Sequence, residues 1–331
     1  MLTIFSLSIL ALTFFFILAH GADLLVGNLR ALADHSKIHP VLLGLILGFL
    51  TTVPEFMVGL NAIRQGVTTL SLGNIWGGII VILALILGLS IILQRKIKTD
   101  GHLFVILPSF IFILFSLFLG TKGVLNFYDG LFLLIFYLII VYLDFLAGGH
   151  YQSDILIKEE ILEKEGIKNP KPWFGVRLYN WHRAFKKEIS WALVGLVLVV
   201  VASYVIMEIA DIFLGIFPLP PFLVGLLIFS LGTNLPEITV MLRSLKLKSA
   251  DISFGHLVGS AVSNVLVLAL LTFFTTIDLT VSWRYYVLMC FMLLTVAAIS
   301  WFYVSKKSFD RWEGIALLFL YFAFVFYEIF L

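Results

Sequence analysis

The chain contains few charged residues and one cysteine. Of its 331 residues, 13% are Asp, Glu, Lys or Arg, and the cysteine is Cys290, inside an apolar segment. A lone cysteine excludes a disulfide framework and a thiolate metal centre. The hydrophobic residues make up 61% of the chain, which is more than a soluble fold of this length needs. Together with the scarcity of charge, this fraction excludes an ordinary soluble domain. The composition therefore predicts a membrane protein with several spans.

The sequence also lacks the motifs of common enzymes. It has no His-Glu-x-x-His metal motif, no nucleophile elbow and no glycine-rich phosphate loop. We therefore expect that the protein is not an enzyme and uses no cofactor.

Ten segments are apolar and long enough to cross a bilayer as helices of about 20 residues. They cover 3–20, 40–63, 71–93, 102–120, 127–147, 190–213, 219–243, 252–274, 282–304 and 311–330. Five lie before the polar segment 148–189 and five after it, so the second half inserts upside down relative to the first. We predict an all-α polytopic membrane protein with ten transmembrane helices. Its two inverted five-helix repeats are 1–147 and 190–331, joined by the linker loop 148–189.

The basic residues are distributed unequally between the two sides of this arrangement. If the N-terminus lies outside, only Arg64, Lys122 and Arg284 of the 22 Lys and Arg residues face outward. Inner loops carry an excess of Lys and Arg in membrane proteins. We therefore predict that both termini are outside, that 148–189 is cytoplasmic, and that the chain resides in the cell (inner or plasma) membrane.

An acid and a proline lie together inside an apolar run in each half. Residues 51–55 read Thr-Thr-Val-Pro-Glu, and residues 233–237, 182 positions later, read Thr-Asn-Leu-Pro-Glu. A carboxylate within a membrane span is costly and indicates a functional site by default. Each proline also removes a helix hydrogen bond, which frees the carbonyl of Leu50 or Gly232 four residues earlier. Two such motifs in matching halves predict a transporter whose ion site lies between the repeats.

Both motifs form polar stripes, because residues three and four apart share one face of a helix. The stripes are Thr51, Thr52 and Glu55 in the first half and Thr233, Asn234 and Glu237 in the second. Hard cations such as Ca²⁺ take about six to eight oxygen ligands of this mixed kind. The two negative charges of these glutamates would balance the charge of one divalent cation or of two monovalent cations.

A third polar stripe lies on the eighth predicted span. It consists of His256, Ser260 and Asn264, whereas the corresponding positions of the first half are Asn74, Gly78 and Ile82. The second half therefore offers more ligands, which predicts an asymmetric site. His256 has two interpretations, as a helix-packing residue near the interface or as a titratable group close to the ions.

At these residues the chain resembles the cation/calcium exchanger superfamily, and within it the short prokaryotic sodium/calcium exchanger-like proteins. The resemblance rests on Gly-Thr-Asn-Leu-Pro-Glu at 232–237, on the glycine-rich segment 255–264, and on the weaker matches at 50–55 and 73–78. It places the family's two alpha repeats at about 40–93 and 219–274. The family also implies alternating access, in which the first and sixth spans slide against the other eight.

The resemblance implies a set of cation ligands. They are Glu55 and Glu237 at the centre, side-chain or backbone oxygens of Thr51, Thr52, Thr233 and Asn234, the carbonyls of Gly48 and Ser230, and the side chains of Ser260 and Asn264. The chain departs from the family pattern where Gly78 and Ile82 replace a serine and an asparagine. It departs again at Asn264, where related exchangers often have aspartate, at Asn234, which replaces a serine, and at His256, which replaces an asparagine.

The sequence thus predicts a secondary antiporter that exchanges Ca²⁺ for Na⁺ by alternating access, with the ion bound between the two Pro-Glu helices at mid-membrane. The alternatives are Ca²⁺/H⁺ or other cation/H⁺ exchange, and a degenerate member that binds ions without turnover. We expect inorganic cations (Ca²⁺ with Na⁺ or H⁺) and the lipid bilayer as partners. We expect no nucleic acid and no obligatory protein partner.

Overall fold

The protein is helical along nearly all of the chain that the computed structural model describes. The described residues are 2–35, 52–94, 96–98, 103–146, 174–217, 219–238, 241–242, 250–305 and 308–330. The N-terminal part of the second predicted span and most of the predicted linker 148–189 lie outside them.

The described helices are numbered here in chain order. They are α1 (Leu2–His35), α2 (Val53–Arg64), α3 (Thr68–Gln94), α4 (Leu103–Gly120), α5 (Phe127–Leu146), α6 (Phe174–Ile216), α7 (Pro221–Thr233), α8 (Ala250–Leu271), α9 (Trp283–Ser305) and α10 (Arg311–Phe330). A short helical segment at 235–238 follows α7.

The helices have the length and composition of membrane spans. Within the described residues, six are long and apolar enough to cross a membrane (in α1, α3, α6, α8, α9 and α10), and α4, α5 and α7 contain shorter apolar helices. The prediction of a mostly helical membrane protein is therefore confirmed, whereas the ten spans, the inverted repeat and the outward termini stay predictions. Helix α6 begins at Phe174, so the helix extends well into the segment that the sequence assigned to the linker.

Two short antiparallel ribbons connect loops of the first half to loops of the second. Strand β1 (Lys96–Lys98) pairs with β4 (Ser308–Asp310), and Lys96 lies opposite Asp310. Strand β2 (Val124–Leu125) pairs with β3 (Ile277–Asp278). These ribbons pair the backbone at the ends of α3 and α4 with segments that are remote in sequence.

Helices α3 and α7 approach each other more closely than helices with ordinary side chains could. A Cβ on Gly225 would overlap the Leu70 carbonyl oxygen, and a Cβ on Gly77 would lie 2.9 Å from the Leu226 Cα. Small residues permit this contact between membrane helices. Both helices also contain a π-helical stretch, Val81–Ile86 in α3 and Gly225–Phe229 in α7, and such stretches often occur at functional sites.

Helices α1 and α6 pack against each other as a pair, again through glycine. A Cβ on Gly21 would lie 3.0 Å from the Gly195 carbonyl oxygen, and a Cβ on Gly195 would lie 2.5 Å from the Leu25 nitrogen. Their buried apolar side chains belong to a core cluster separate from the larger core around α3, α8 and α9. That cluster also contains side chains of α2, α3 and α7, among them Val58, Leu70 and Phe229, so the pair packs directly against these helices.

Polar contacts connect this pair to α2 at the end of α2 remote from Glu55. Arg64 forms a 2.7 Å ion pair with Glu208 and lies 4.5 Å from the ring centroid of Tyr204. One turn earlier, the Asn61 amide donates to the Ser203 hydroxyl at 3.1 Å.

Candidate cation-binding site

The two Pro-Glu motifs adopt the same local conformation. Thr52 precedes α2 with φ −99° and ψ 9°, and Asn234 follows α7 with φ −89° and ψ 13°. Asn234 lies between α7 and the helical segment 235–238, and Thr52 directly precedes α2. Proline is tolerated in the first turn of a helix, where its missing N–H has no helical partner in any case. At the second site the helix stops and starts again at the motif, where the sequence suggested a proline kink inside a continuous span. At the first site the motif lies in the first turn of α2, and the residues before Thr52 lie outside the described part of the chain.

Both glutamates therefore lie near the start of a helical segment. Glu55 lies in the first turn of α2, and Glu237 is the third residue of the helical segment 235–238. Unpaired N–H groups and the helix dipole make this end of a helix electropositive, which favours a carboxylate there. At the preceding break, the Gly232 carbonyl accepts a hydrogen bond from the Asn234 N–H and so is not left free.

Glu55 and Glu237 are both buried and lie close together. Their exposed fractions are 2% and 3%, and their charges are near enough to repel each other. The Thr233 hydroxyl is a hydrogen-bond partner of Glu55, and the Ser260 hydroxyl donates to Glu237 Oε1 at 2.9 Å. Each carboxylate keeps one buried oxygen, Oε2, without a hydrogen-bond partner. Two such oxygens in one region have the chemistry of a cation site.

Thr233 connects the two halves through Asn74. Its hydroxyl lies 3.1 Å from Asn74 Oδ1 and 3.0 Å from the Phe229 carbonyl oxygen. Asn74 is fully buried on α3, and its Nδ2 has no partner. In the sequence, Asn74 is the one polar residue among the first-half positions that correspond to the third stripe, but it is not among the predicted ligands. Its contact with Thr233 adds it to the candidate site.

Two asparagines converge on Gly78. A Cβ on Gly78 would lie 2.9 Å from Asn234 Nδ2 and 2.9 Å from Asn264 Nδ2. Asn234 also donates to the Ser230 carbonyl at 2.7 Å, and its Oδ1 is buried without a partner. The glycine that appeared in the sequence as a lost serine is therefore the position that accommodates both amides.

Of the remaining predicted ligands, two lie in the part of the chain that the structure describes and two lie outside it. Thr52 and Ser230 are buried at 1% and 0% exposure, and the Ser230 hydroxyl donates to the Leu226 carbonyl at 2.5 Å. Gly48 and Thr51 lie outside the described residues. The structure thus brings together Glu55, Glu237, Thr233, Asn234, Ser260 and Asn264 through contacts among them or with Asn74 and Gly78.

Two further titratable groups, His256 and Asp23, lie near Glu237. His256 acts on Glu237 by electrostatic attraction and Asp23 by repulsion. Both side chains are half-buried. The interpretation of His256 as a group close to the site is therefore favoured over simple packing near the interface. Asp23, which belongs to α1, brings the α1–α6 pair next to the same carboxylate.

Phe15 of α1 packs against the end of α7 that carries Thr233. Its ring occupies the space beside Gly232, where a Cβ would overlap ring carbons, and lies 5.6 Å from the Phe229 ring in an edge-to-face contact. Gly232 directly precedes Thr233, so the packing of α1 reaches the residue that contacts Glu55.

Buried acids that lie close together between apolar helices are typical of membrane transporters of cations. The comparison with protein families gives the particular family. The chain belongs to the sodium/calcium exchanger protein family, whose model matches residues 6–146 and 187–330. The family resemblance seen in the sequence is therefore confirmed. The family is one of exchangers and antiporters and not a class of enzymes.

Individual relatives are distant but extend over most of the chain. The putative antiporter CaxA of Alkalimonas amylolytica is 26% identical over 76% of this chain and 75% of its own. The uncharacterized membrane protein MJ0091 of Methanocaldococcus jannaschii is 25% identical over 92% of both chains. A solved structure of the sodium-calcium exchanger NCX_Mj, soaked with Na⁺ and Sr²⁺, matches 96% of this chain and 97% of its own with a TM-score of 0.63. At 22% identity, that match shows a shared fold.

Proposed function

We propose that the protein is a secondary active antiporter that exchanges Ca²⁺ for Na⁺ across the cell membrane, with the ion held between Glu55 and Glu237. The observation that carries this proposal is the pair of buried carboxylates, each with an unpartnered Oε2. Together they supply two negative charges and at least two free oxygen ligands for a hard cation. Similarity to the putative antiporter CaxA and to the sodium-calcium exchanger NCX_Mj supports the same assignment.

The ligands around the two glutamates would come from both halves. Thr233, Asn234, Ser260 and Asn264 lie at the site, and we include Thr52 and the Ser230 carbonyl as neighbours along the same segments. Thr51 and the Gly48 carbonyl complete the proposed set on sequence grounds. The binding region would thus lie in the two alpha repeats, about 40–93 and 219–274, of the inverted halves 1–147 and 190–331.

Charge balance favours exchange over one-way transport. An empty site would contain two bare carboxylates in an apolar interior, and carrying that uncompensated charge across the membrane is expensive. A site loaded with one Ca²⁺ or with two monovalent cations is neutral. Only loaded sites should therefore change sides, which couples the flux of one ion to that of the other.

Alternating access would use the α1–α6 pair. The glycine contacts between α1 and α6 hold the two helices together as one body, and this body packs against α2 and α7 through apolar side chains that can slide. Phe15 and Asp23 on α1 lie next to the site, so movement of this pair would change access to the glutamates.

A second candidate function is Ca²⁺/H⁺ exchange. Its specific support is the position of His256 and Asp23 beside Glu237, because these groups could pass protons to and from the carboxylate. In that case both glutamates would return protonated instead of sodium-loaded.

Calcium uptake into liposomes containing the purified protein tests these proposals. With Na⁺ inside and a sodium-free buffer outside, we expect Ca²⁺ uptake that stops when internal Na⁺ is replaced by choline. Uptake driven by an imposed proton gradient, and indifferent to Na⁺, would instead establish the second candidate. Calcium binding without uptake under either gradient would contradict both and identify a binding protein without turnover.

A further inference from the structure

The Thr233 hydroxyl lies at the centre of a small hydrogen-bond network and has one proton to donate. Three acceptors surround it: the Phe229 carbonyl oxygen at 3.0 Å, Asn74 Oδ1 at 3.1 Å and the Glu55 carboxylate. A hydroxyl donates one hydrogen bond and accepts up to two. While all three neighbours act as acceptors, two of them therefore go without the proton at any moment.

The Asn74 amide is the member of this network that can change its role. It turns Oδ1 towards Thr233, and its Nδ2 is buried without a hydrogen-bond partner among the described residues. A buried donor without a partner is costly. A half-turn of the amide exchanges its oxygen and nitrogen, so that Nδ2 donates to the Thr233 hydroxyl. This orientation gives the donor a partner and removes Asn74 from the competition for the Thr233 proton.

The backbone near Asn74 is tightly packed, so its amide acts from a fixed position. A Cβ on Gly73 would lie 2.1 Å from the Phe222 carbonyl oxygen, and a Cβ on Gly225 would lie 2.8 Å from the Asn74 nitrogen. The Asn74 side chain is fully buried, and Thr233 is 1% exposed. Neither residue can therefore exchange its partner for bulk water.

The charge of Glu55 favours one of the two amide orientations. A hydrogen bond to an ionised carboxylate is roughly twice as strong as one between neutral groups, so Glu55 is the strongest acceptor of the Thr233 proton. When the proton points to Glu55, lone pairs of the Thr233 oxygen face Asn74. The favourable neighbour for these lone pairs is the amide Nδ2, because a second oxygen would repel them. A chain of hydrogen bonds then runs from Asn74 through Thr233 to Glu55.

We propose that Asn74 is a positioning residue for Glu55: its amide orients the Thr233 hydroxyl, and this hydroxyl holds the Glu55 carboxylate in place for the cation. The inference rests on the proposed function in one respect, that Glu55 is a cation ligand. Without the amide, the hydroxyl is free to donate to the Phe229 carbonyl, four residues back in the same helix. The carboxylate would then lose the hydrogen bond that fixes its orientation.

A double-mutant cycle on calcium binding tests this role. Asn74→Leu removes the amide at similar side-chain size, and Thr233→Val removes the hydroxyl and keeps the branched shape. With Thr233 present, we expect Asn74→Leu to weaken calcium binding about fivefold, the equivalent of one hydrogen bond. In the Thr233→Val background the same change should have no further effect, because the hydroxyl through which Asn74 acts is absent. In the Thr233→Ser background, which retains a hydroxyl, the effect should return.

Equilibrium dialysis of the purified protein against radioactive calcium measures binding without requiring transport. Ser71→Ala is the matched control, because Ser71 lies one turn earlier on α3 and its buried hydroxyl has no partner among the described residues. We expect this variant to bind calcium normally. Asn74→Ala removes the amide without adding apolar volume, and it repeats the cycle with a side chain that fits the same space.

The possible outcomes separate this inference from the proposed function. An equal loss of affinity in the Val and Ser backgrounds, or no loss when Thr233 is present, would overturn the positioning role of Asn74 and leave antiport intact. Absence of calcium binding to the unaltered protein would contradict the proposed function, and the inference with it.

Discussion

Glu55→Gln and Glu237→Gln are each expected to abolish calcium transport without preventing membrane insertion. Either change leaves one carboxylate to face a divalent ion, so the loaded site would carry an uncompensated positive charge in the apolar interior. Loss of a charged ligand or hydrogen bond costs about 1.5–3 kcal/mol. That cost corresponds to a roughly ten- to hundredfold weaker apparent affinity, and the cost of moving the uncompensated charge adds to it.

The measurement is calcium uptake per folded protein, with folding judged by size-exclusion chromatography in detergent. Glu208→Gln is the matched control, because it removes the same charge at a position where the carboxylate is 45% exposed in a surface ion pair. Such pairs contribute about 0–1 kcal/mol. Near-normal flux in either central variant, or equal losses in all three, would contradict the assignment of the site.

Gly225→Ala is expected to cause a large loss of stability, and with it a loss of transport. Its new Cβ would overlap the Leu70 carbonyl oxygen and lie 2.8 Å from the Asn74 nitrogen, both of which are backbone atoms that cannot rotate away. Helices α3 and α7 would have to separate, which would also disturb the contact between Asn74 and Thr233. Overpacking a tight interior costs about 1–3 kcal/mol, occasionally more.

Thermal unfolding in detergent measures this effect. Gly215→Ala on α6 is the control, because nothing lies within 4 Å of its Cβ position and alanine is the better helix former. We expect a clear fall in the unfolding midpoint for Gly225→Ala and none for Gly215→Ala. Equal midpoints would show that the close contact between α3 and α7 does not hold the site together.

The central features of the site could be predicted because the sequence repeats them. A costly carboxylate beside a proline, found twice at one offset, pointed to Glu55 and Glu237 as neighbours at the repeat interface. The structure confirms that the two side chains are buried and close together, whereas the repeat itself stays a prediction. Their role as cation ligands is still a proposal, as are the roles of the residues around them.

The local shape of the motif could not be predicted in the same way. Proline removes a donor, but this alone does not decide whether the helix bends or stops and restarts. The structure shows that the second segment stops at Asn234 and starts again, and that Thr52 has similar backbone angles directly before α2, so that each acid lies near the start of a helical segment. The favourable interaction of each carboxylate with a helix N-terminus depends on the φ and ψ angles of the one residue before the helix. The residue types alone do not determine these angles.

Asn74 and Gly78 were difficult to interpret for a different reason. Their significance depends on Thr233, Asn234 and Asn264, which are more than a hundred residues away in sequence. Compared with the second half, Gly78 stands where a serine is missing. The structure shows that the amide groups of Asn234 and Asn264 fill the space that a side chain at position 78 would occupy. Substitutions that compensate each other across a helix interface are visible only when the interface is known.

A structure determined with Ca²⁺ or Sr²⁺ bound tests the central claim most directly. Anomalous scattering from crystals soaked in either ion locates the cation without assumptions about its ligands. We expect one strong peak between the carboxylates of Glu55 and Glu237, with oxygen ligands at about 2.3–2.6 Å. A peak at another group of acids, or none between these two glutamates at concentrations that support transport, would contradict the account.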